Sequence, residues 1–159
     1  MSVDEQRFKK TMGLLPAGIT VLTLVDEDGA AWGMTASSVA SLSLRPPMLL
    51  ACVDDEAAIR RSIVHAPRFG VSVLAADQAD VATRFADRER HRLTADEPRQ
   101  VSPGGVPLVR DALAQIECRR SEVFQGGDHA IVCGVVEWSE LHEGRPLVYW
   151  RGEWGPLGG

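Results

Sequence analysis

The 159-residue chain is poor in the residues that mark the commoner kinds of site. It has three cysteines, Cys52, Cys118 and Cys133. The number is odd, the spacings match no zinc pattern, and each thiol lies in an apolar, strand-like run. Reduced, buried thiols of a cytoplasmic protein are expected, not a disulfide framework. Met1-Ser2-Val3-Asp4 is acidic and lacks the basic start of a secretory signal. No apolar run approaches the roughly 20 residues of a membrane span. Positive charge is not in excess: 17 Lys and Arg against 22 Asp and Glu leave a net charge of -5, which argues against a nucleic-acid surface. The local cluster Arg84, Arg88, Arg90 and Arg92 is diluted by Asp87 and Glu89 and reads as a solvated face. His65, His91, His129 and His142 are scattered without ligand spacing, so no metal site is expected. There is no Gly-x-Ser-x-Gly elbow, no phosphate loop and no Gly-x-Gly-x-x-Gly after a strand. A serine-hydrolase elbow and a Rossmann dinucleotide site are thereby excluded. With no internal repeat and no low-complexity segment, residues 1–159 suit a single domain.

What is present is mostly strand. Gly18 to Val25 is rich in β-branched residues, and Asp26-Glu27-Asp28-Gly29 is a hairpin signal that returns Ala30 to Ala36 antiparallel to it. Pro47 to Val53 is continuously apolar and predicts a strand buried on both faces. Phe69 to Leu74, Leu113 to Arg119, His129 to Trp138 and Pro146 to Trp150 complete about seven strands. Three helices are expected. One runs from Val3 to Leu14, with Ser2 as N-cap, Glu5 closing a capping box, and Phe8, Met12 and Leu15 packing on the core. The second covers Glu56 to Ala66. The third, capped by Asp77, ends near Ala86. Asp87 to Pro107 reads as a long loop or lid. No regular βαβ alternation is visible, so the expected fold is a mainly β, closed or nearly closed antiparallel barrel with peripheral helices.

One segment stands out chemically. Gly33 to Pro47 carries five hydroxyl side chains, Thr35, Ser37, Ser38, Ser41 and Ser43, among small residues between two apolar strands. Hydroxyls both donate and accept, and small neighbours allow close approach to the backbone. Such a segment can hold a flat polar ring or a phosphate without charge. On spacing alone Thr35 to Ser43 reads better as an edge strand of alternating small residues, since Ser and Thr are common in connections. Asp128-His129 alone is a tight turn, and adjacent strand residues point to opposite faces, so no hydrogen-bonded dyad is expected there. Tyr149-Trp150-Arg151 alone is a strand end.

In combination these pieces resemble the short-chain flavin reductases, the reductase components of two-component flavin monooxygenases. The resemblance rests on Gly33-Met34-Thr35-Ala36-Ser37-Ser38, Ser41-Leu42-Ser43-Leu44-Arg45-Pro46-Pro47 and the apolar strand to Cys52-Val53. It also rests on Pro16 to Val21, Arg68 to Leu74, Arg84-Phe85-Ala86, Gly127-Asp128-His129 and Pro146 to Gly152. It implies an FMN-binding-type split β-barrel, active as a homodimer. Such a protein oxidises NADH or NADPH and reduces FMN or FAD for a separate monooxygenase. The resemblance further implies that Thr35, Ala36, Ser37 and Ser38 hold the pyrimidine edge of the isoalloxazine and part of the phosphate region, with Ser41 nearby. Cys52, Val53 and Asp54 would line the ring, and Phe85 would approach the ring or ribityl chain. His129 would meet the nicotinamide, and Tyr149 and Arg151 would lie near the cofactor cleft. Asp54-Asp55-Glu56 departs from the hydroxyls often found there and is a poor phosphate grip, although these acids could cap the following helix. Alternatives that keep the fold are a flavin carrier or sensor without turnover, and an FMN-bound reductase of another acceptor.

Overall fold

Two hydrophobic clusters lie on opposite sides of one strand and organise the molecule. The computed structural model describes residues 2–87, 91–94, 97 and 99–156; Arg88, Glu89 and Arg90 of the basic cluster and part of the expected lid fall outside them. The elements in order are α1 (Glu5–Met12), β1 (Ala17–Gly18), β2 (Thr20–Val25), β3 (Ala31–Ala36), β4 (Val39–Leu44), β5 (Pro47–Asp54), α2 (Arg60–Ile63), β6 (Arg68–Val73), α3 (Ala79–Ala86), β7 (Arg99–Val101), β8 (Pro107–Val109), β9 (Ala114–Gly126), β10 (His129–Leu141), β11 (Leu147–Trp150) and β12 (Glu153–Pro156). A seven-stranded antiparallel sheet runs β3-β2-β6-β9-β10-β5-β4, with a small sheet β1-β11-β12 and a ribbon β7-β8 beside it. The Cys52 N–H donates to the Ser38 carbonyl at 2.9 Å, extending the β4–β5 pairing into the β3–β4 connection. Among the described residues no helix is long and apolar enough to cross a membrane.

Leu22 and Leu24 of β2 join Ala51, Val53, Phe69, Val71 and Val132 inside the curled sheet. Val21, one residue away, points to the other face and packs with Ile19, Leu74, Ala82, Phe85 and Leu147 under α3 and the small sheet. Alternation therefore serves two cores at once, and Thr20 to Leu24 are all buried. β2 and β6 are buried on both faces; β5 is not. In β5 only Leu49, Ala51 and Val53 are buried, and the intervening residues are partly open. An unbroken apolar run does not reveal how completely both faces are covered.

The helices are shorter than their patterns predict. Asp4, not Ser2, caps α1, accepting from the Arg7 N–H at 2.8 Å. None of its residues is buried; Phe8 is 55% and Leu15, just beyond it, 62% exposed. The periodicity identified an apolar face correctly but could not say what covers it. Only four residues of the Glu56–Ala66 stretch form α2, and no side chain caps it. The acids before it have other partners. α3 starts after Gln78 rather than at an Asp77 cap, and the Gln78 side chain accepts from Ala75 N–H at 3.0 Å and donates to the Arg110 carbonyl at 2.9 Å. The barrel has more strands than expected. β4 lies within the hydroxyl segment, and the two hairpin arms β9 and β10 run 13 residues each. Their second halves are only partly buried, and the sequence pattern reaches no further than Arg119 and Trp138. Cys118 and Cys133 are buried and Cys52 is partly open; all three are free thiols. Burial pushes the Cys118 thiol up to about 12.

The β2–β3 turn is held by one carboxylate. Asp26 Oδ1 accepts from the N–H groups of Asp28 and Ala30, and Oδ2 accepts from Trp32 Nε1 at 2.7 Å. These donors, the indole first, hold its carboxyl below the ordinary 3.8. A depressed carboxylate stabilises the fold above its unfolded pKa and loses that contribution as pH falls through the folded value. Asp26→Asn is therefore expected to lower the melting temperature at neutral pH and to narrow the gap between melts at pH 7 and pH 3. An unchanged gap in thermal melts would contradict this.

Candidate functional site

At the mouth of the barrel the end of β3, the end of β5, the C-terminal turn of α3 and the β9–β10 hairpin surround a cavity of about 390 Å³. That is at the small end of the range of roughly 300–1,000 Å³ usual for small-molecule sites. Nine of the residues singled out in the sequence line it: Thr35, Ala36, Ser37, Ser38, Cys52, Asp54, Phe85, His129 and Tyr149. Three do not. Val53 is fully buried in the inner core. Ser41 sits on edge strand β4 opposite Leu49, away from the cavity. Arg151 lines a neighbouring cavity instead. The lining also includes Ile19, Met34, Ala57, Ala86, His91 and Trp154; His91 and Trp154 carry no sequence signal that marks them as site residues. Trp154 lay in what reads as a tail, and it packs edge-on against Tyr149 with centroids 6.1 Å apart.

The four consecutive residues 35–38 divide the work. Thr35 Oγ1 donates to the Ala82 carbonyl at 2.6 Å, so its proton anchors α3 to β3. Ala36 is buried, and its carbonyl accepts from Thr20 Oγ1 at 2.8 Å. Ser37 and Ser38 are exposed where β3 ends. Among the described residues no protein group engages their hydroxyls, which leaves both free to meet a ligand.

Phe85 reaches the cavity because β3 carries a glycine beneath it. A Cβ on Gly33 would stand 2.7 Å from Phe85 Cε1 and 3.1 Å from Leu93 Cδ1. The same strand is bordered by residues 91–93. Gly33 N–H donates to the His91 carbonyl at 2.7 Å and Leu93 N–H to the Ala31 carbonyl at 2.9 Å. These bonds bring His91 to the cavity wall.

The other side is set by the β9–β10 hairpin. His129 Nδ1 bonds Asp128 Oδ1 at 2.7 Å, so the two residues do form a hydrogen-bonded pair. The alternation argument fails because Asp128 belongs to the turn, not to the pleat. β9 ends at Gly126, Gly127 has φ +65°, and β10 starts at His129. The imidazole holds the Asp128 carboxyl below 3.8. With Nδ1 engaged, Nε2 is the ring nitrogen left for a ligand. The acids before α2 fix this hairpin in place. Asp55 N–H donates to the Asp128 carbonyl at 2.9 Å, while the Asp55 carboxylate takes Arg60 Nε at 2.8 Å and Gln125 Nε2 at 2.7 Å. Asp54 Oδ1 accepts from the Glu56 N–H at 2.8 Å, closing the turn.

A curled antiparallel sheet with hydroxyl, aromatic and imidazole groups gathered at one end is an architecture suited to binding a small molecule. The chain belongs to the family described as flavin reductase like domain, whose model matches residues 12–158. It is 38% identical over 154 residues to a flavin reductase (NADH) of Kitasatospora aureofaciens, covering 94% of this chain and 80% of that protein. It is 34% identical over 154 residues to the flavin-dependent monooxygenase reductase subunit HsaB of Rhodococcus jostii (strain RHA1), covering 96% and 78%. Among solved structures it superposes on BorF, the flavin reductase component of a bacterial two-component tryptophan halogenase. The TM-score is 0.90 at 36% identity, with 97% of this chain and 98% of that chain covered. The split-barrel expectation therefore holds.

Proposed function

We propose that the protein is an NAD(P)H:flavin oxidoreductase that reduces FMN or FAD and hands the reduced flavin to a separate monooxygenase. The observation that carries this is the cavity at the barrel mouth. It is walled by the Phe85, Tyr149 and Trp154 rings and edged by the unengaged hydroxyls of Ser37 and Ser38. Planar aromatic walls with a few convergent polar groups suit a tricyclic ring with one polar edge. Bound flavin would accept and nicotinamide would donate the hydride, so the protein needs no acid, base or nucleophile of its own. Its task is to stack the two rings and keep water from intervening. Ser37 and Ser38 would bond the pyrimidine edge. Asp54 and Cys52 would border the ring, and Phe85 would limit its depth. His129, oriented by Asp128, would bond the arriving nicotinamide through Nε2. Thr35 would act by holding α3, and with it Phe85, in place.

The same proposal includes a homodimer and a cytoplasmic setting. Leu42 and Leu44 on edge strand β4 are 47% and 80% exposed, apolar side chains of the kind that assembly covers. Three free thiols fit a reducing compartment.

His129→Ala is expected to raise the KM for NADH by roughly three- to tenfold, the scale of one lost hydrogen bond. The KM for flavin should move less. Steady-state NADH oxidation at varied flavin checks this; a larger change in the flavin KM would contradict the role. Flavin binding without turnover on NADH or NADPH would support the carrier reading instead.

A further inference from the structure

His129 sits where the sheet stops. It opens β10, and its register partners, Asp54 on β5 and Gly126 on β9, are the last residues of those strands. Beyond it the hairpin turns through Gly127 and Asp128 alone, with Gly127 at φ +65°. Gly126, Gly127 and Asp128 are all exposed. Burial therefore does not hold the turn that brings the Asp128 carboxylate to His129.

A ring of three side chains does. Asp55 Oδ1 accepts from Arg60 Nε at 2.8 Å, Asp55 Oδ2 accepts from Gln125 Nε2 at 2.7 Å, and Gln125 Oε1 accepts from Arg60 Nη2 at 3.3 Å. The turn is gripped at two points. Gln125 Nε2 also donates to the Gly127 carbonyl at 3.0 Å, and the Asp55 N–H donates to the Asp128 carbonyl at 2.9 Å. The anchor on the other side is Arg60, the first residue of α2, whose neighbours Ile59 and Ile63 are buried in the inner core. The exposed turn is thus referenced to the core through polar groups. The ring adds little stability, because the Asp55 and Arg60 side chains are 41% and 21% exposed and such pairs are screened by solvent. What several bonds converging on a two-residue turn do is fix its position.

We infer that Asp55 and Gln125 are positioning residues for the hydride donor. They hold the Gly127–Asp128 turn so that Asp128 orients His129, and they set the affinity for the nicotinamide through that imidazole. This rests on the flavin-reductase reading and on the place of His129 in it. Neither Asp55 nor Gln125 lines the cavity at the barrel mouth, so their effect on NADH passes through the turn. A fixed imidazole meets the nicotinamide already aimed. A loose turn has to be ordered at each binding event, which weakens binding.

Steady-state kinetics of Asp55→Ala and Gln125→Ala, each alone and combined with His129→Ala, test this. Each single variant is expected to raise the KM for NADH roughly three- to tenfold, by no more than His129→Ala does. The KM for flavin should stay unchanged and the melting temperature within about 4 °C of the wild type. In the His129→Ala background neither change should have a further effect, since nothing is left to position. A residue that only supports the fold would add its loss in both backgrounds. An unchanged KM for NADH in both single variants, equal shifts for NADH and flavin, or full additivity with His129→Ala would overturn the inference and leave the reductase reading standing. If His129→Ala itself leaves the KM for NADH unchanged, the role of His129 fails and the inference with it. Absence of flavin reduction by the wild type would end the reductase reading as well.

Discussion

Replacing Ser38 with tryptophan is expected to abolish flavin binding and leave the fold intact. Ser38 is exposed and lies at the boundary between the barrel-mouth cavity and its neighbour. Its structural contribution is its carbonyl, which accepts from Cys52 N–H and does not depend on the side chain. An indole there occupies the space proposed for the ring edge. The loss in affinity should be at least about 100-fold, or roughly 2.8 kcal/mol. Flavin fluorescence titration reads the affinity, and circular dichroism with a thermal melt reads the fold. Unchanged flavin affinity in a folded variant would remove residues 35–38 from the site.

The second large effect concerns stability. Glu117 is 2% exposed on β9. Its carboxylate accepts from Arg68 Nη1 and from the Gly104 N–H at 2.9 Å. The same guanidinium group reaches Glu137 at 2.7 Å, and Arg119 bonds Glu137 at 2.8 Å. Arg68→Met leaves the Glu117 charge buried with a single backbone donor. Breaking a buried ion pair costs about 3–5 kcal/mol. The Arg68 side chain is 36% exposed, so solvent screening reduces the expected loss to about 2 kcal/mol. For a domain of this size that is a fall of roughly 4–8 °C in melting temperature. Adding Glu117→Gln keeps an acceptor for Gly104, removes the buried charge and should recover much of the loss. No recovery would show that Arg68 acts through packing alone.

Much of this arrangement was legible in the sequence, and the parts that were not have identifiable physical causes. β2 and β6 announce themselves because core burial imposes β-branched or apolar residues along them, and β3 follows from the Asp26–Gly29 turn that returns it to β2. The second halves of β9 and β10 do so less, since only part-buried positions such as Val123 and Val136 touch the core there. β4 was legible only as one of two readings of the hydroxyl segment, an edge strand of small residues. The apolar face of α1 was visible, but its neighbour is a cavity rather than the core, which no periodicity can specify. Thr35, Ser37 and Ser38 were readable as a group. That the Thr35 hydroxyl serves α3 while the serines stay open depends on a contact 47 residues away. The pairing of Asp128 with His129 was missed because the turn ends between them. His91 reaches the cavity wall through backbone pairing with β3, which leaves no trace in side-chain pattern.

The most direct test of the central claim is anaerobic mixing of catalytic amounts of the protein with excess FMN and NADH while the oxidised-flavin absorbance band is followed. The account predicts bleaching of the whole flavin pool over many turnovers with stoichiometric loss of NADH, and no acceleration over the protein-free mixture for Ser38→Trp. Bleaching of at most one equivalent per protein, or equal rates for wild type and Ser38→Trp, would contradict it.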